Sequence, residues 1–438
     1  VLLTVLWLPG LRFPVVSDTL NYAFLGKNVW EQGAYTLTGM PYTKHLPLHA
    51  LVSYPLIRTF GVHFGMHLST LLGGFGVLTA TFLLVRRLLR SPALAAATTA
   101  AVLAHPGFVL MSMLGSADLL FTTLFLLALY FYVKAEDERR FYLLAGACAG
   151  LSCLTRYNGI TLFPLFLGYA LWKRPRHLRS AWLWGGIAVG PAIFSTWLLR
   201  NFLVFGNPLY SGYAGELQQE APSLVEQFLS NVAYYGNPLH NLFPFFFVFA
   251  LIGLWRHART QPFLLLAMLA AWLLSSIWWV QAIRFFFPGY PLLLVFAILG
   301  LIDVLHWRSR SLLILPLLIT AGIGVQSLSF CLYTYGDCNA WFDRRVGILP
   351  KNMGLTPEGF YAWHLARNFI NDHAERGALV YYEMPEVSES VFRSDLHVVA
   401  DRNLCPLYRI TQRPEPDAEI LYTTAAAPET AVTLQRCQ

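Results

Sequence analysis

The chain has 438 residues, of which 56% are hydrophobic, 15% aromatic and only 13% charged. Soluble domains carry roughly 25% charged residues, so this chain lacks the polar surface to cover a core of its own; a soluble enzyme and a disordered chain are both excluded. The net charge of +7 and pI near 9.1 would suit nucleic acid, but membrane proteins gather basic residues for a different reason.

A helix needs about 20 mostly apolar residues to cross a bilayer. Such stretches fall at 1–8, 64–85, 93–114, 117–133, 141–155, 159–172, 181–204, 242–255, 262–282, 285–305 and 312–334, which predicts about eleven spans. The first is a stub. The chain opens Val1-Leu2-Leu3 and reads as truncated there, with no positive n-region or small-residue cleavage site to mark a signal peptide. Alternate connections at 86–90, 134–140, 173–179, 256–259 and 306–310 hold 14 Lys/Arg. The positive-inside bias assigns these to the cytoplasm. The outward side of residues 1–334 then keeps only Arg12, Lys27, Lys44, Arg58, Arg156, Arg200 and Arg284 as basic residues. The basic balance is therefore mostly a topology signal, and no nucleic-acid partner is implied.

Two outward connections are long, 9–63 and 205–240, and loops of that length are usually functional. The first carries an amphipathic pattern around 18–32 and a short apolar stretch near 48–60, predicted as helices lying on the membrane. After residue 334 the composition turns polar. A helix is predicted near 358–376, strands near 378–383, 396–400 and 418–423, and a further helix over 386–393. The expected architecture is a polytopic α-helical membrane domain over 1–334 and a small extracytoplasmic α/β domain over 335–438. Cys148, Cys153 and Cys331 fall in predicted spans as apolar fillers. Cys338, Cys405 and Cys437 fall in the outward tail, where one disulfide could form among the three; the spacing selects no pair. No Cys-x-x-Cys, His-Glu-x-x-His or phosphate-loop motif occurs, so no cofactor is indicated and a divalent metal is left open.

The few outward charges are the candidate site. Asp18, in PVVSDTLNY, is either a helix cap or a general base whose pKa an apolar wall would raise. Asp118, in LGSADLLFTTLF, has the same two readings, as a cap or as a second carboxylate in the same cavity. Arg156 in CLTRYNGI, Arg200 in WLLRNFLVF and Arg284 in AIRFFFPGYP lie at outward span edges, and Lys44 lies in the first loop. Each either snorkels to the interface or joins a site that grips a lipid-linked phosphate, which guanidinium forks suit. Tyr22, Tyr42 and His45, with Tyr35 and His49, either anchor the first loop at the interface or line a sugar pocket.

The order of these segments resembles GT-C membrane glycosyltransferases. Asp18 with Tyr22 opens the pattern, followed by PYTKHLPLHALVSYPLIRTFG (41–61), the Asp118 segment, AGLSCLTRYNGITLFPLF (149–166), WLLRNFLVFGNPLY (197–210) and IRFFFPGYPLLL (283–294). The protein O-mannosyltransferases and the bacterial lipid A aminoarabinose and galacturonic acid transferases are the most similar branches, over about residues 1–300. The resemblance implies a polyprenyl-phosphate sugar as donor, a hydroxyl acceptor and inversion at the anomeric carbon. It implies Asp18 as base or orienting group, and Lys44, Arg156 and Arg284 near the donor phosphate. Many members carry a second acid directly after the first, where this chain has Thr19. The WWDxG motif of oligosaccharyltransferases is replaced by WWVQ (278–281), so that branch's metal dependence is not implied. An integral protein of a bacterial inner membrane, its active site on the outer face, is the expectation. A transporter or flippase, or a polymerase or ligase of lipid-linked glycans, is the alternative.

Overall fold

The computed structural model describes residues 1–8, 11, 18–37, 40–113, 115–213, 223–236, 244–277, 283–305, 366–367, 369–382, 396–399, 406–411, 419–423 and 431–435. The predicted span 312–334, the boundary at 334/335, the predicted helix 386–393 and Cys331, Cys338, Cys405 and Cys437 lie outside the described residues.

The fold is largely α-helical, with a small C-terminal β-sheet. The helices are α1 (Leu2–Trp7), α2 (Asp18–Gln32), α3 (Pro47–Phe60), α4 (Val62–Leu89), α5 (Pro92–Leu103), α6 (Pro106–Met111), α7 (Asp118–Lys134) and α8 (Phe141–Cys153). They continue with α9 (Leu162–Lys173), α10 (Ala181–Phe205), α11 (Leu224–Gly236), α12 (Pro244–His257), α13 (Pro262–Ile277) and α14 (Tyr290–Leu305). Among the described residues, two helices, α4 and α10, are long and apolar enough to cross a membrane alone. The stretch 93–114, expected as one span, divides into α5 and α6. Pro106 lacks an N–H and restricts the residue before it, so the helix stops and restarts there. Ser91 caps α5 by accepting from the Leu94 N–H at 3.3 Å, with Pro92 in the first turn. The stretches 141–155 and 159–172 fold as α8 and α9, of 13 and 12 residues, joined through a 3-10 turn at Tyr157–Thr161. That turn delivers Arg156 to the site.

Helix pairs are held by close backbone approach. Gly146 and Gly150 of α8 face Gly186 and Gly190 of α10, and a Cβ at Gly146 would collide with the Gly186 carbonyl. Small residues four apart let helices meet at backbone contact, which matters in lipid, where apolar side chains gain little by leaving the solvent. Gly146→Leu is expected to force the pair apart and cost about 3 kcal/mol, read as a lowered melting temperature in detergent. An unchanged melt would contradict the packing account.

The C-terminal sheet contains β3 (Leu379–Tyr382), β4 (His397–Val398), β5 (Leu407–Thr411), β6 (Glu419–Thr423) and β7 (Ala431–Gln435) in the order β4-β3-β5-β7-β6; a separate two-stranded ribbon, β1 (Thr36–Leu37) with β2 (Met40–Pro41), lies in the first loop. β3 is parallel to β4 and β5, while β7 is antiparallel to β5 and β6. Val380, Leu407, Ile410 and Val432 are buried. Strands β3, β4 and β6 fall on the predicted 378–383, 396–400 and 418–423. The middle strand β5 and its partner β7 were not anticipated.

Candidate active site

The first loop folds back on α2 and α3, which pack together. The Leu48 N–H donates to the Leu154 carbonyl at 3.0 Å, tying the start of α3 to the segment that carries Arg156. An open cleft of about 410 Å³ lies at this junction, lined by Tyr22, Lys44, His45, Leu46, Thr155, Arg156, Tyr157, Asn158, Tyr213 and Phe285.

Asp18 opens α2, and His45 Nε2 lies 3.1 Å from its Oδ1. The approach is off the ring N–H axis, so the contact is short but poorly aligned as a hydrogen bond. The other ring nitrogen, Nδ1, lies 2.7 Å from the Tyr42 hydroxyl. Tyr35 donates to the His45 carbonyl at 2.9 Å, and Tyr22 packs against both the His45 and His49 rings. Burial holds the His49 imidazole down at about 4, so it stays neutral, and its Nε2–H donates to the Gly115 carbonyl at 3.0 Å.

The electrostatics of Asp18 differ from the sequence expectation of a raised pKa. Burial does push its carboxyl up, but the His45, Arg284 and Lys44 charges outweigh it and hold the group well below the usual carboxylate range. The Asp18 side chain is 48% exposed, which softens the burial penalty and strengthens that direction.

Asp118 also departs from expectation. It is 1% exposed, and Arg156 Nη2 lies 2.6 Å from its Oδ1. It begins α7 and makes no side-chain cap. Its place is behind Arg156, not in the cleft as a second carboxylate. Desolvation disfavours the charged guanidinium of Arg156, but Asp118 first, then Tyr22, Tyr213 and Asp18, more than restore it. Arg156 and Arg284 both lie over the Phe285 ring, each 5.2 Å from its centroid. The buried Nε–H groups of these two arginines have no hydrogen-bond partner. Lys44 reaches over the Tyr213 ring at 5.6 Å.

Arg200 does not join this group, against the expectation that it grips phosphate. It donates to the Tyr42 and Tyr35 carbonyls and to Asn201 Oδ1, each at 3.0 Å, and stacks over Tyr35, Trp197 and Phe205. It is spent on holding the first loop against α10. Thr19, directly after Asp18, is buried against Gly115. The residues that sequence reasoning missed are Phe285, Tyr157, Asn158 and Tyr213. The RFFF and TRYNG stretches place three of them beside the arginines, which was the available signal. Among the described residues no group of three His, Cys, Asp or Glu could hold a metal ion.

The family model for dolichyl-phosphate-mannose-protein mannosyltransferases matches residues 56–199, a segment that includes Asp118 and Arg156. In fold the chain is similar to ArnT from Cupriavidus metallidurans. The apo crystal structure superposes with a TM-score of 0.64 at 15% identity, covering 98% of this chain and 96% of that one. The structure bound to undecaprenyl phosphate gives a TM-score of 0.64 at 15% identity, covering 99% and 96%. No curated protein matches the sequence.

Proposed function

We propose that the chain is an inverting glycosyltransferase that moves a sugar from a polyprenyl-phosphate donor to a hydroxyl acceptor on the outer face of a bacterial inner membrane. About eleven spans over 1–334 would carry the site, with a soluble domain over 335–438 on the same outer side. The observation that carries the reading is the pair of guanidiniums on Phe285 whose buried Nε–H donors are unspent. Unsatisfied buried donors are costly, and a phosphate would satisfy both in a bidentate or bridging manner. The similar ArnT structure holds undecaprenyl phosphate, which supports a lipid phosphate as the ligand class.

In this reading Arg156, Arg284 and Lys44 bind the donor phosphate and stabilise the charge that grows on it as it leaves. The acceptor oxygen bonds to the anomeric carbon while the bond from that carbon to the phosphate oxygen breaks. The electron pair departs with the polyprenyl phosphate, and the acceptor proton passes to Asp18. A single displacement inverts the centre and needs no covalent glycosyl-enzyme, unlike a retaining glycosidase. A carboxylate stabilised by His45, Arg284 and Lys44 is a weak base, so it takes the proton only as the new bond forms and the acceptor oxygen becomes acidic. His45, itself held by the Tyr42 hydroxyl, lies against that carboxylate.

Arg284→Ala is expected to weaken binding of polyprenyl phosphate to the purified chain by about tenfold or more. Equal affinity in the variant would remove Arg284 from the phosphate site, and no binding by the wild-type chain would overturn the reading.

A further inference from the structure

Arg200 lies near the end of α10, and its guanidinium reaches into the first loop. Nη2 donates to the Tyr35 carbonyl and Nη1 to the Tyr42 carbonyl, each at 3.0 Å. These two residues bracket the β1–β2 ribbon, and the Tyr42 N–H closes it by donating to the Tyr35 carbonyl at 3.1 Å. The side chains of the same two tyrosines hold His45. The Tyr35 hydroxyl donates to the His45 carbonyl at 2.9 Å, and the Tyr42 hydroxyl lies 2.7 Å from His45 Nδ1. His45 Nε2 in turn lies 3.1 Å from Asp18 Oδ1. One guanidinium therefore grips, by their backbones, both residues that grip His45 by their side chains. The same fork reaches the second loop. Nη1 also donates to Asn201 Oδ1 at 3.0 Å, and the buried Asn201 donates to the Tyr210 carbonyl at 3.1 Å. Just beyond, Gly212 packs against Lys44, where an added Cβ would stand 3.3 Å from the Lys44 Cβ.

We propose that Arg200 is a positioning residue for the transfer reaction: it fixes where His45, and through it Asp18, stands at the cleft, and it touches neither donor nor acceptor. This rests on the transfer reading above and adds a residue to it. A planar fork suits the task, because it holds two carbonyls of one ribbon at once in a fixed geometry. A lysine ammonium on its flexible stem cannot do so. The rings of Tyr35, Trp197 and Phe205 fix the plane of the fork. Three of its N–H donations are committed to protein oxygens, which turns the guanidinium away from a ligand role. The reaction gains from such a hold, since a carboxylate misplaced by about 1 Å can cost about a hundredfold in rate.

The test follows Arg200→Ala and Arg200→Lys in the purified chain in nanodiscs by three readouts. They are transfer of radiolabelled sugar from polyprenyl-phosphate donors to an extract of bacterial envelope lipids and glycans, binding of bare polyprenyl phosphate, and the rate at which diethyl pyrocarbonate modifies each histidine, resolved by mass spectrometry. Arg200→Ala is expected to lower turnover by about ten- to a hundredfold and to leave polyprenyl-phosphate affinity unchanged. Modification of His45 should speed up about tenfold. His49, buried and bonded to the Gly115 carbonyl, should keep its rate, which separates a loosened ribbon from general loosening. Arg200→Lys keeps the charge but loses the fork, and is expected to resemble alanine in all three readouts; wild-type turnover with lysine overturns the inference. Unchanged His45 modification in Arg200→Ala also overturns it. So does a loss of polyprenyl-phosphate affinity like that of Arg284→Ala, which would return Arg200 to the phosphate site. Faster His45 modification in a chain whose wild type transfers no sugar removes the transfer reading and leaves the hold on His45 standing. If Arg200→Ala does not fold, Tyr35→Phe takes its place. It removes the hydroxyl on the His45 carbonyl and keeps the ring against Trp197. The same split is expected there, and wild-type behaviour overturns the inference.

Discussion

Asp18→Asn is expected to slow sugar transfer by about a hundred- to ten-thousandfold, the range that a positioned general base contributes. The amide is nearly isosteric, so α2 and its packing on α3 stay in place, and expression and melting should match the wild-type chain. Two things are lost together. The amide cannot take the acceptor proton, and it no longer offers a negative charge to His45 Nε2 at 3.1 Å. Donor-lipid binding should survive, because Asp18 compensates the cations and does not supply them. The pH dependence has a definite sign. The Asp18 carboxyl is held well below the usual carboxylate range, so protonation of Asp18 cannot cause a loss of rate on mild acidification. Any such loss belongs to another group, and it should persist in Asp18→Glu if that variant keeps activity. Near-wild-type turnover by Asp18→Asn would remove the base assignment.

Asp118→Ala is expected to have the largest effect on stability among the site substitutions. It strands the Arg156 guanidinium, 22% exposed, without the carboxylate 2.6 Å away. Breaking a buried pair by removing one partner costs about 3–5 kcal/mol, a fall in melting temperature of roughly 5 °C or more. Arg156→Ala should cost a similar amount, since Asp118 is then left unpaired and fully buried. The double replacement Asp118→Leu with Arg156→Met should recover much of the loss, because well-packed apolar groups can replace a buried ion pair at little cost. It should not recover donor binding. Asp118 melting unchanged as alanine would contradict the pair, and restored donor binding in the double variant would remove Arg156 from the phosphate site.

Lys44, Arg156 and Arg284, which the fold brings to one cleft and one aromatic ring, stand out in the sequence because the chain has so few charges. The positive-inside reading assigns most basic residues to one side, and Lys44, Arg156 and Arg284, assigned to the other, then stand out against apolar sequence. Their partners were not legible. Asp18 and His45 are 27 positions apart and meet only because the first loop doubles back, a non-local closure that no local spacing encodes. Asp118 has the sequence look of a cap or a second acid, and its burial against Arg156 depends on how α7 meets the turn after α8. Arg200 looks like Arg156 in sequence, at an outward span edge, yet backbone carbonyls of the first loop reach it first.

For the fold, hydropathy located the apolar stretches but not their breaks. The Pro106 break divides 93–114, and α8 and α9 are too short to count as spans by length alone. The amphipathic pattern at 18–32 falls on the helix α2, and the apolar stretch at 48–60 on the helix α3. In the tail, the Tyr, Ile and Thr of LYRIT are strand formers, so the existence of β5 was legible in its own residues although it was not anticipated. Its place in the middle of the sheet comes from pairing with β3 and β7, which is tertiary.

The central claim is tested most directly by supplying the purified chain in nanodiscs with polyprenyl phosphates carrying radiolabelled sugars and an extract of bacterial envelope lipids and glycans. The prediction is that label moves covalently onto an acceptor, that polyprenyl phosphate is released in equal amount, and that Asp18→Asn shows neither. Label that stays on the polyprenyl lipid, or crosses the bilayer still attached to it, would contradict the account and point to a carrier of lipid-linked sugar.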